Sequence, residues 1–415
     1  MNELQKMVVE LLRERTSLFL VKEEIARGVI GEDENILRVF LACLTRSMPD
    51  PVSILVKGPS ASGKSNLVRN VLKVMPPEVV IERSSFSPQA LVSSDTDLTG
   101  KIVYLTEFEG GKESRYHLRQ LQSEGTLLRE VTEMKGRKRK TTVLSRVGRP
   151  VLITTTTADH VFRDDDTRFF SIPINQSIDQ TRAIFLKAIA PESHVPGRPI
   201  ECFQAAVRAL TKTKFDYVFP PFFRTVARMI PASVGSRRDG PKLVSLCQAI
   251  ALAMSVSESS HRSPITVGFS HYAVAYQLLN GLFIRNDQMC APTTSLVVDA
   301  VRSLAAEDNG SVSVRQIMPQ LKWSEKNIKN LYKHLELALG AGLISTDGKA
   351  HRNNEKHYLP QDDAQEFLVS PKKLIELHPE LRRTKFIDPV SGQERSACEL
   401  GAEVGKPLSK KPLAS

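Results

Sequence analysis

The chain has 415 residues, with 57 Lys and Arg against 46 Asp and Glu and a formal charge of +11 at neutral pH. That length holds one large domain with one or two small ones, and no apolar run approaches the roughly 20 residues that span a bilayer. Cys43, Cys202, Cys247, Cys290 and Cys398 are scattered without C-x-x-C spacing, which excludes an evident zinc site or disulfide framework and fits a reducing compartment.

Residues 1–27 alternate charged and apolar residues in helical fashion, without the apolar core and cleavage site of a signal peptide, so a cytoplasmic protein is expected. "GVIGEDENILRVFLACLTRSM" continues as an amphipathic helix, and "PVSILVKG" reads as a buried strand ending in glycine. "GPSASGKS" follows, a G-x-x-x-x-G-K-S pattern set between that strand and a helix, the context that makes it specific. The expected nucleotide-binding set is Gly58, Pro59, Ser60, Ala61, Ser62, Gly63, Lys64, Ser65 and Asn66. Backbone N–H groups from Ser60 to Lys64 wrap a β-phosphate, and the helix N-terminus adds partial positive charge. Lys64 reaches the β- and γ-phosphates of ATP, and Ser65 ligates Mg²⁺.

Further strands are read at "EVVIERS", "KIVYLTEF" and "PVLITTTT". Buried strands alternating with helices predict an α/β fold whose mostly parallel sheet is covered on both faces. Glu107 follows the strand Ile102–Leu105, where a carboxylate orients and deprotonates the attacking water and adds to the metal site. Thr106 stands where an aspartate is usual, and Glu109 is the fallback carboxylate. Within "VTEMKGRKRKTTV", Lys135, Arg137, Lys138, Arg139 and Lys140 put five cations into six residues between two strand-like runs. Such a mid-domain basic tip is a solvated turn, a localisation signal or a phosphate-binding element. Thr156, with Thr155 and Thr157 beside it, is positioned to hold water against a γ-phosphate; the β-propensity of threonine is the competing explanation. Arg168 in "DDDTRFF" precedes an apolar strand, a stiff mount for a guanidinium that stabilises phosphoryl transfer, commonly from a neighbouring subunit. The alternative is a local ion pair with Asp164, Asp165 or Asp166.

From about Ile178 the pattern turns helical, "DQMCAPTT" reads as a linker, and 294–360 has the rhythm of a winged helix. In its third helix Ile328, Leu331, Leu335 and Leu339 form an apolar stripe, with Lys326, Lys329, Asn330 and Lys333 on the other side. A wing turns at Asp347 and Gly348. The basic face either meets DNA phosphates and a major groove or serves a protein contact. Residues 361–415 are polar and punctuated by Pro, Gly and Ser, and are expected to be a partly disordered tail.

Taken in order, these motifs resemble AAA+ ATPases of the pre-sensor-1 hairpin class, and most of all the minichromosome maintenance (MCM) helicases and their relatives in phage, plasmid and mobile-element replication modules. The segments that carry the resemblance run from about Ile25 to Glu258: "IARGVIGEDENI", "GPSASGKS", "YLTEFEG", "HLRQLQSEGTLLREVTEMKGRKRK", "TRFF" and "GSRRDGPKLVSLCQAIALA". The resemblance implies an AAA+ core over 28–177 and a helical lid over 178–290, after an N-terminal helical segment over 1–27. In the lid Arg237 or Arg238, with Arg238 preferred, is the second sensor arginine. It also implies a homo-oligomeric ring, expected as a hexamer, with ATP and Mg²⁺ between subunits and Arg168 in the neighbour's site. Each basic hairpin then faces the channel and tracks single-stranded DNA. The expected function is a DNA-translocating motor, a replicative helicase or replication initiator with a primase or other replication protein as partner and no membrane. Thr106 favours a second reading, a non-translocating DNA-bound loader or regulator switched by ATP. A small-molecule P-loop kinase is the third.

Overall fold

The structure, a computed structural model, describes residues 2–84, 97–106, 117, 120–135, 138–157, 168–189, 197–212, 215–230, 236–254, 264–288, 292–308, 310–321, 323–340, 344–348, 356–360 and 367–400. The first seven strands are β1 (Ser53–Lys57), β2 (Val80–Arg83), β3 (Ile102–Leu105), β4 (Thr126–Lys135), β5 (Lys138–Val147), β6 (Val151–Thr156) and β7 (Phe169–Pro173). Five of them form one sheet in the order β2-β3-β6-β1-β7, every neighbouring pair parallel. All of β3 and β6 and all but the last residue of β1 are buried, which is why these runs carry no polar alternation. Between the sheet's ends, Leu55, Leu98, Val103, Leu105, Leu121, Leu152 and Phe169 close one hydrophobic cluster.

Helices supply the cover that such a sheet requires. α1 (Glu3–Arg13) opens with a capping box between Asn2 and Gln5, followed by α2 (Ser17–Ala26) and α3 (Asp33–Leu44). From Ile36 to Leu44 only Arg38 of α3 escapes full burial, and its guanidinium is held by Glu34, Asn35 and the Leu278 carbonyl. α4 (Lys64–Lys73) buries Leu67, Val68, Val71 and Leu72, each worth roughly 1.5–3 kcal/mol relative to exposure.

β4 and β5 stand outside this sheet as an antiparallel hairpin whose register runs from Thr126 opposite Val147 to Lys135 opposite Lys138. Its root is fixed by three backbone hydrogen bonds. Leu98 N–H donates to the Val147 carbonyl (3.2 Å), Gly148 N–H to Gly125 (2.9 Å) and Val151 N–H to Lys101 (3.0 Å). All three lie where β3 and β6 begin, so the hairpin leaves from the amino-terminal edge of the sheet. Gly148 is required there: its φ is +118°, and a Cβ would lie 2.3 Å from the Thr99 nitrogen.

The chain divides into two compact units, Met1–Thr225 with Gly240–Leu278 and Ser370–Ser415, and Val226–Asp239 with Leu279–Val369. Residues 178–290, expected as one helical lid, are therefore shared between the two. The helix Ile200–Thr211 belongs to the sheet-bearing unit, where Arg208 pairs with Glu78 (2.6 Å) and Gln204 donates to the Lys73 carbonyl (2.8 Å). Within the tail 361–415, expected to be partly disordered, residues 367–400 are ordered. This stretch folds into the helix Pro371–Leu377 and a hairpin of two short strands, Lys385–Ile387 and Glu394–Ser396. Its polar composition hid the few apolar anchors, Leu374, Phe386, Ala397 and Leu400, and the buried Asp388 that accepts from Gln277 (2.9 Å).

The second unit contains, in order, the helix Pro292–Asp308, a strand Val312–Ser313, the helices Val314–Gln320 and Ile328–Gly340, and strands Ile344–Thr346 and His357–Pro360. Its three strands form an antiparallel sheet with His357–Pro360 in the middle. The buried stripe of Ile328–Gly340 is Leu331, His334, Leu335 and Ala338. Ile328, expected on that stripe, is 40% exposed because it sits one turn too early to reach the core. Among the described residues no helix is long and apolar enough to cross a membrane.

His271 is buried, with Nδ1 accepting from the Gly268 N–H (2.9 Å) and Nε2 lacking a partner. Burial pushes its pKa down from 6.5 to about 4. The unfolded chain therefore binds the proton more readily than the folded one, and stability present above pH 6.5 is lost as pH falls towards 4. His271→Asn retains an acceptor for Gly268. Between pH 7 and pH 4 the stability of the wild type, measured by urea denaturation, should fall relative to this variant by on the order of 3 kcal/mol. A pH-independent difference would contradict the account.

Candidate nucleotide site

The loop between β1 and α4 is shaped by three local constraints. Ala61 and Gly63 take left-handed conformations, φ +61° and +88°, turning the chain twice within three residues. Gly58 has no room for a side chain, since a Cβ would lie 2.9 Å from both Ile174 Cγ2 and Ser62 Oγ. Its N–H donates to the Thr156 carbonyl (3.3 Å), tying the loop's start to the end of β6. Gly63 is the N-cap of α4 and offers no capping side chain, leaving the first-turn amides for a ligand.

Lys64 opens α4 and is buried. Its Nζ turns back to donate to the carbonyls of Gly58 (2.7 Å) and Pro59 (2.6 Å), and burial lowers its pKa from the ordinary lysine value. The Ser62 hydroxyl is buried without a partner among the described residues. A cationic loop with unfilled donors and a side-chain-free first residue fits a phosphate chain. Ser60 and Ala61 are exposed at the loop's crest, while Asn66 is spent elsewhere, donating to the Gly28 carbonyl (2.9 Å). That bond, joined by Asn70, lays the segment around Gly28 beside the nucleotide helix.

Beyond the loop, β3 and β6 end at the same edge. The Thr155 hydroxyl donates to the Thr106 carbonyl (2.7 Å), and Thr106 Oγ1 donates weakly to the Ser84 carbonyl (3.5 Å). Thr156 is buried opposite Lys57, the last residue of β1. Glu107 and Glu109 lie outside the described residues. No group of three or more His, Cys, Asp or Glu able to hold a metal occurs among the described residues.

Arg168 is not gathered here. Arg168 immediately precedes β7, whose first residue, Phe169, pairs with Ser53 at the start of β1. It thus sits at the opposite edge from its own loop, about 13 Å away along a five-residue strand. Its Nε donates to Ser123 Oγ (3.2 Å), just before β4; Asp164, Asp165 and Asp166, its suggested partners, lie outside the described residues. Arg237 and Arg238 are exposed on the first turn of the helix Ser236–Met254. Lys135, Lys138, Arg139 and Lys140 occupy the distal end of the β4–β5 register, with Arg137 outside the described residues. Lys329 and Lys333 are exposed on their helix, whereas Lys326 belongs to the preceding 3-10 turn Glu325–Asn327.

A family model, the MTBMA_p00010 P-loop domain, matches residues 4–195. This part of the chain is similar to a P-loop domain, and its parallel five-stranded sheet with flanking helices fits that likeness. No curated protein matches the chain. The matched span of the P-loop domain begins within α1, so the N-terminal helices, expected as a separate segment, are covered by it.

Sequence reasoning passed over Tyr104, a completely buried residue of β3 whose phenol oxygen has no partner among the described residues, and Lys242, which is buried and donates to the Phe169 carbonyl (3.1 Å) beside Arg168. A tyrosine inside an otherwise aliphatic strand was the available signal for the first; nothing local marked the second.

Gly58→Ala tests the loop's geometry. The added methyl must displace Ile174 or Ser62, costing about 1–3 kcal/mol by overpacking, and roughly tenfold or more in ATP affinity. Calorimetric titration with ATP reads the second effect and thermal melting the first; unchanged affinity would remove Gly58 from the phosphate-binding geometry.

Proposed function

We propose that the chain is an AAA+ ATPase of the MCM-like type, a ring-forming motor that binds ATP and Mg²⁺ at the loop Gly58–Ser65 and moves along single-stranded DNA. The observation that carries the reading is the division of labour between the sheet's two edges. The phosphate loop follows the carboxyl end of β1, while Arg168 and the root of the basic hairpin share the amino edge and are joined through Ser123. An arginine so far from its own loop serves a phosphate chain held by the next subunit. In that arrangement each bound ATP is sensed by the neighbour's hairpin, and Lys135, Arg137, Lys138, Arg139 and Lys140 form a sequence-independent cationic collar.

Glu107 is the residue proposed to activate water, Thr156 to hold it and Arg238 to reach the nucleotide from the helical region. The second unit has the element order of a winged helix, and Lys326, Lys329 and Lys333 offer cations for duplex phosphates. A hexameric ring and a primase or similar replication partner complete the proposal of a replicative helicase or initiator. One observation favours the alternative of a non-translocating loader or regulator: Thr106 supplies a hydroxyl turned to Ser84, not a carboxylate, beside the metal position.

ATP hydrolysis with and without single-stranded DNA separates these readings. The motor requires a DNA-stimulated rate that Lys135→Ala, Arg137→Ala and Lys138→Ala together remove, and that Lys64→Ala abolishes with or without DNA. A rate indifferent to DNA, with DNA binding intact in the triple variant, would favour the switch.

A further inference from the structure

The helix Ile178–Ile189 is mounted with its apolar face outward. A helix of a folded domain ordinarily turns that face to the core. Here no residue of the helix is buried, and Ile178, Phe185, Leu186 and Ile189 are between 62% and 80% exposed. At the helical repeat Ile178, Phe185 and Ile189 form one stripe, while Gln180 and Lys187 lie on the opposite side. That polar side fixes the helix. Gln180 Nε2 donates to the Ile30 carbonyl (2.8 Å) and to Glu32 Oε1 (3.0 Å), and Lys187 Nζ donates to the Arg27 carbonyl (2.7 Å). Glu32 is itself buried and also accepts from Asn35 (2.6 Å) and from the Asn175 N–H (2.9 Å), just before the helix. Gly31 admits the close approach, since a Cβ there would lie 2.9 Å from Gln180 Cγ. Rolling the helix to bury its stripe would break three hydrogen bonds, one of them to a buried carboxylate.

The stripe has the symmetry of a surface that meets its own copy. Reversing the helix end for end exchanges Ile178 with Ile189 and Arg182 with Phe185. Arg182 flanks the stripe with its charge already balanced by Asp179 (3.9 Å), so the face carries no net charge to repel an identical one. We propose that two copies of this chain pair through these helices, antiparallel about a two-fold axis. Ile178 then packs on the partner's Ile189, and the Arg182 guanidinium lies over the partner's Phe185 ring. The area agrees. Ile178, Phe185, Leu186 and Ile189 together expose on the order of 500 Å², the size of a functional patch on a monomer. Two copies face to face withdraw on the order of 1,000 Å² from water, the level that a specific interface must clear. This contact is separate from the one that sets Arg168 beside a neighbour's loop, because the pairing joins identical surfaces and the ring joins different ones. It requires neither nucleotide nor DNA.

Sedimentation velocity of the full chain without nucleotide, across a dilution series, reads the association. The wild type should pass from dimer to monomer on dilution. Phe185→Asp, which places a carboxylate at the centre of the contact, should raise the dissociation constant at least about thirtyfold. Phe185 is mostly exposed in the single chain, so this variant should melt as the wild type does. If it does not fold, Ile189→Asp at the end of the stripe supplies the same reading. Oxidising a mixture of the Ile178→Cys and Ile189→Cys proteins tests the geometry, with the wild type as baseline for the native cysteines. Two-fold pairing predicts a 178–189 disulfide between chains in the mixture, and little cross-linking of either protein alone. A monomeric wild type, an unchanged dissociation constant in Phe185→Asp, or cross-linking that ignores this pairing would each overturn the proposal. Flotation of a monomeric wild type with phosphatidylcholine vesicles would reassign the stripe to a lipid surface. Failure to bind ATP leaves every one of these readings in place, so the nucleotide reading and this inference fall separately.

Discussion

Burial of β1, β3 and β6 on both faces is the constraint from which the rest of the first unit follows. Strands with no solvent-facing side pair in parallel and return through crossovers outside the sheet. All five carboxyl ends then lie at one edge and all five amino ends at the other. The phosphate loop, the threonines of β6 and the end of β3 are brought together by that rule, although they are separated by as many as 98 residues between Gly58 and Thr156. The same rule carries Arg168 and the root of the β4–β5 hairpin away from them. The sheet therefore has one edge that carries the glycine-rich loop and an opposite edge that carries Arg168 and the hairpin.

The phosphate edge is built by desolvation as much as by charge. Lys64 is held by the Gly58 and Pro59 carbonyls, so its ammonium is already turned towards the loop's interior. Ser62, Thr154 and Tyr104 contribute buried hydroxyl oxygens without partners among the described residues. A site that keeps polar groups dry and unfilled concentrates whatever interaction a phosphate chain brings, because each such group gains more from a ligand than it would in water. The two left-handed residues are the backbone's share of that arrangement, held by the bonds from Gly58 to β6 and from Asn66 to Gly28.

Much of this was legible before any coordinate. G-x-x-x-x-G-K-S between a strand and a helix specified the loop because each residue there answers a local demand: conformational freedom at Gly63, close packing at Gly58, a cation at Lys64. The strands of the sheet were legible for the opposite reason, as runs too uniformly apolar to face water. The folded segment at 367–400 was not legible, because a few anchors such as Phe386 and Leu374 are lost among charges unless one knows what they pack against. Nor was Ile328's exposure, since a helical stripe fixes a direction on the helix and not how far along it the core extends.

By itself the sequence determined the nucleotide loop, the alternation of strands and helices, and the concentration of five cations between Lys135 and Lys140, all properties of neighbouring residues. Tertiary structure alone decided that Arg168 lies across the sheet from its own loop and that Ser123 links it to the hairpin. Those relations depend on which strand ends meet, and parallel pairing settles that over distances that no local pattern spans.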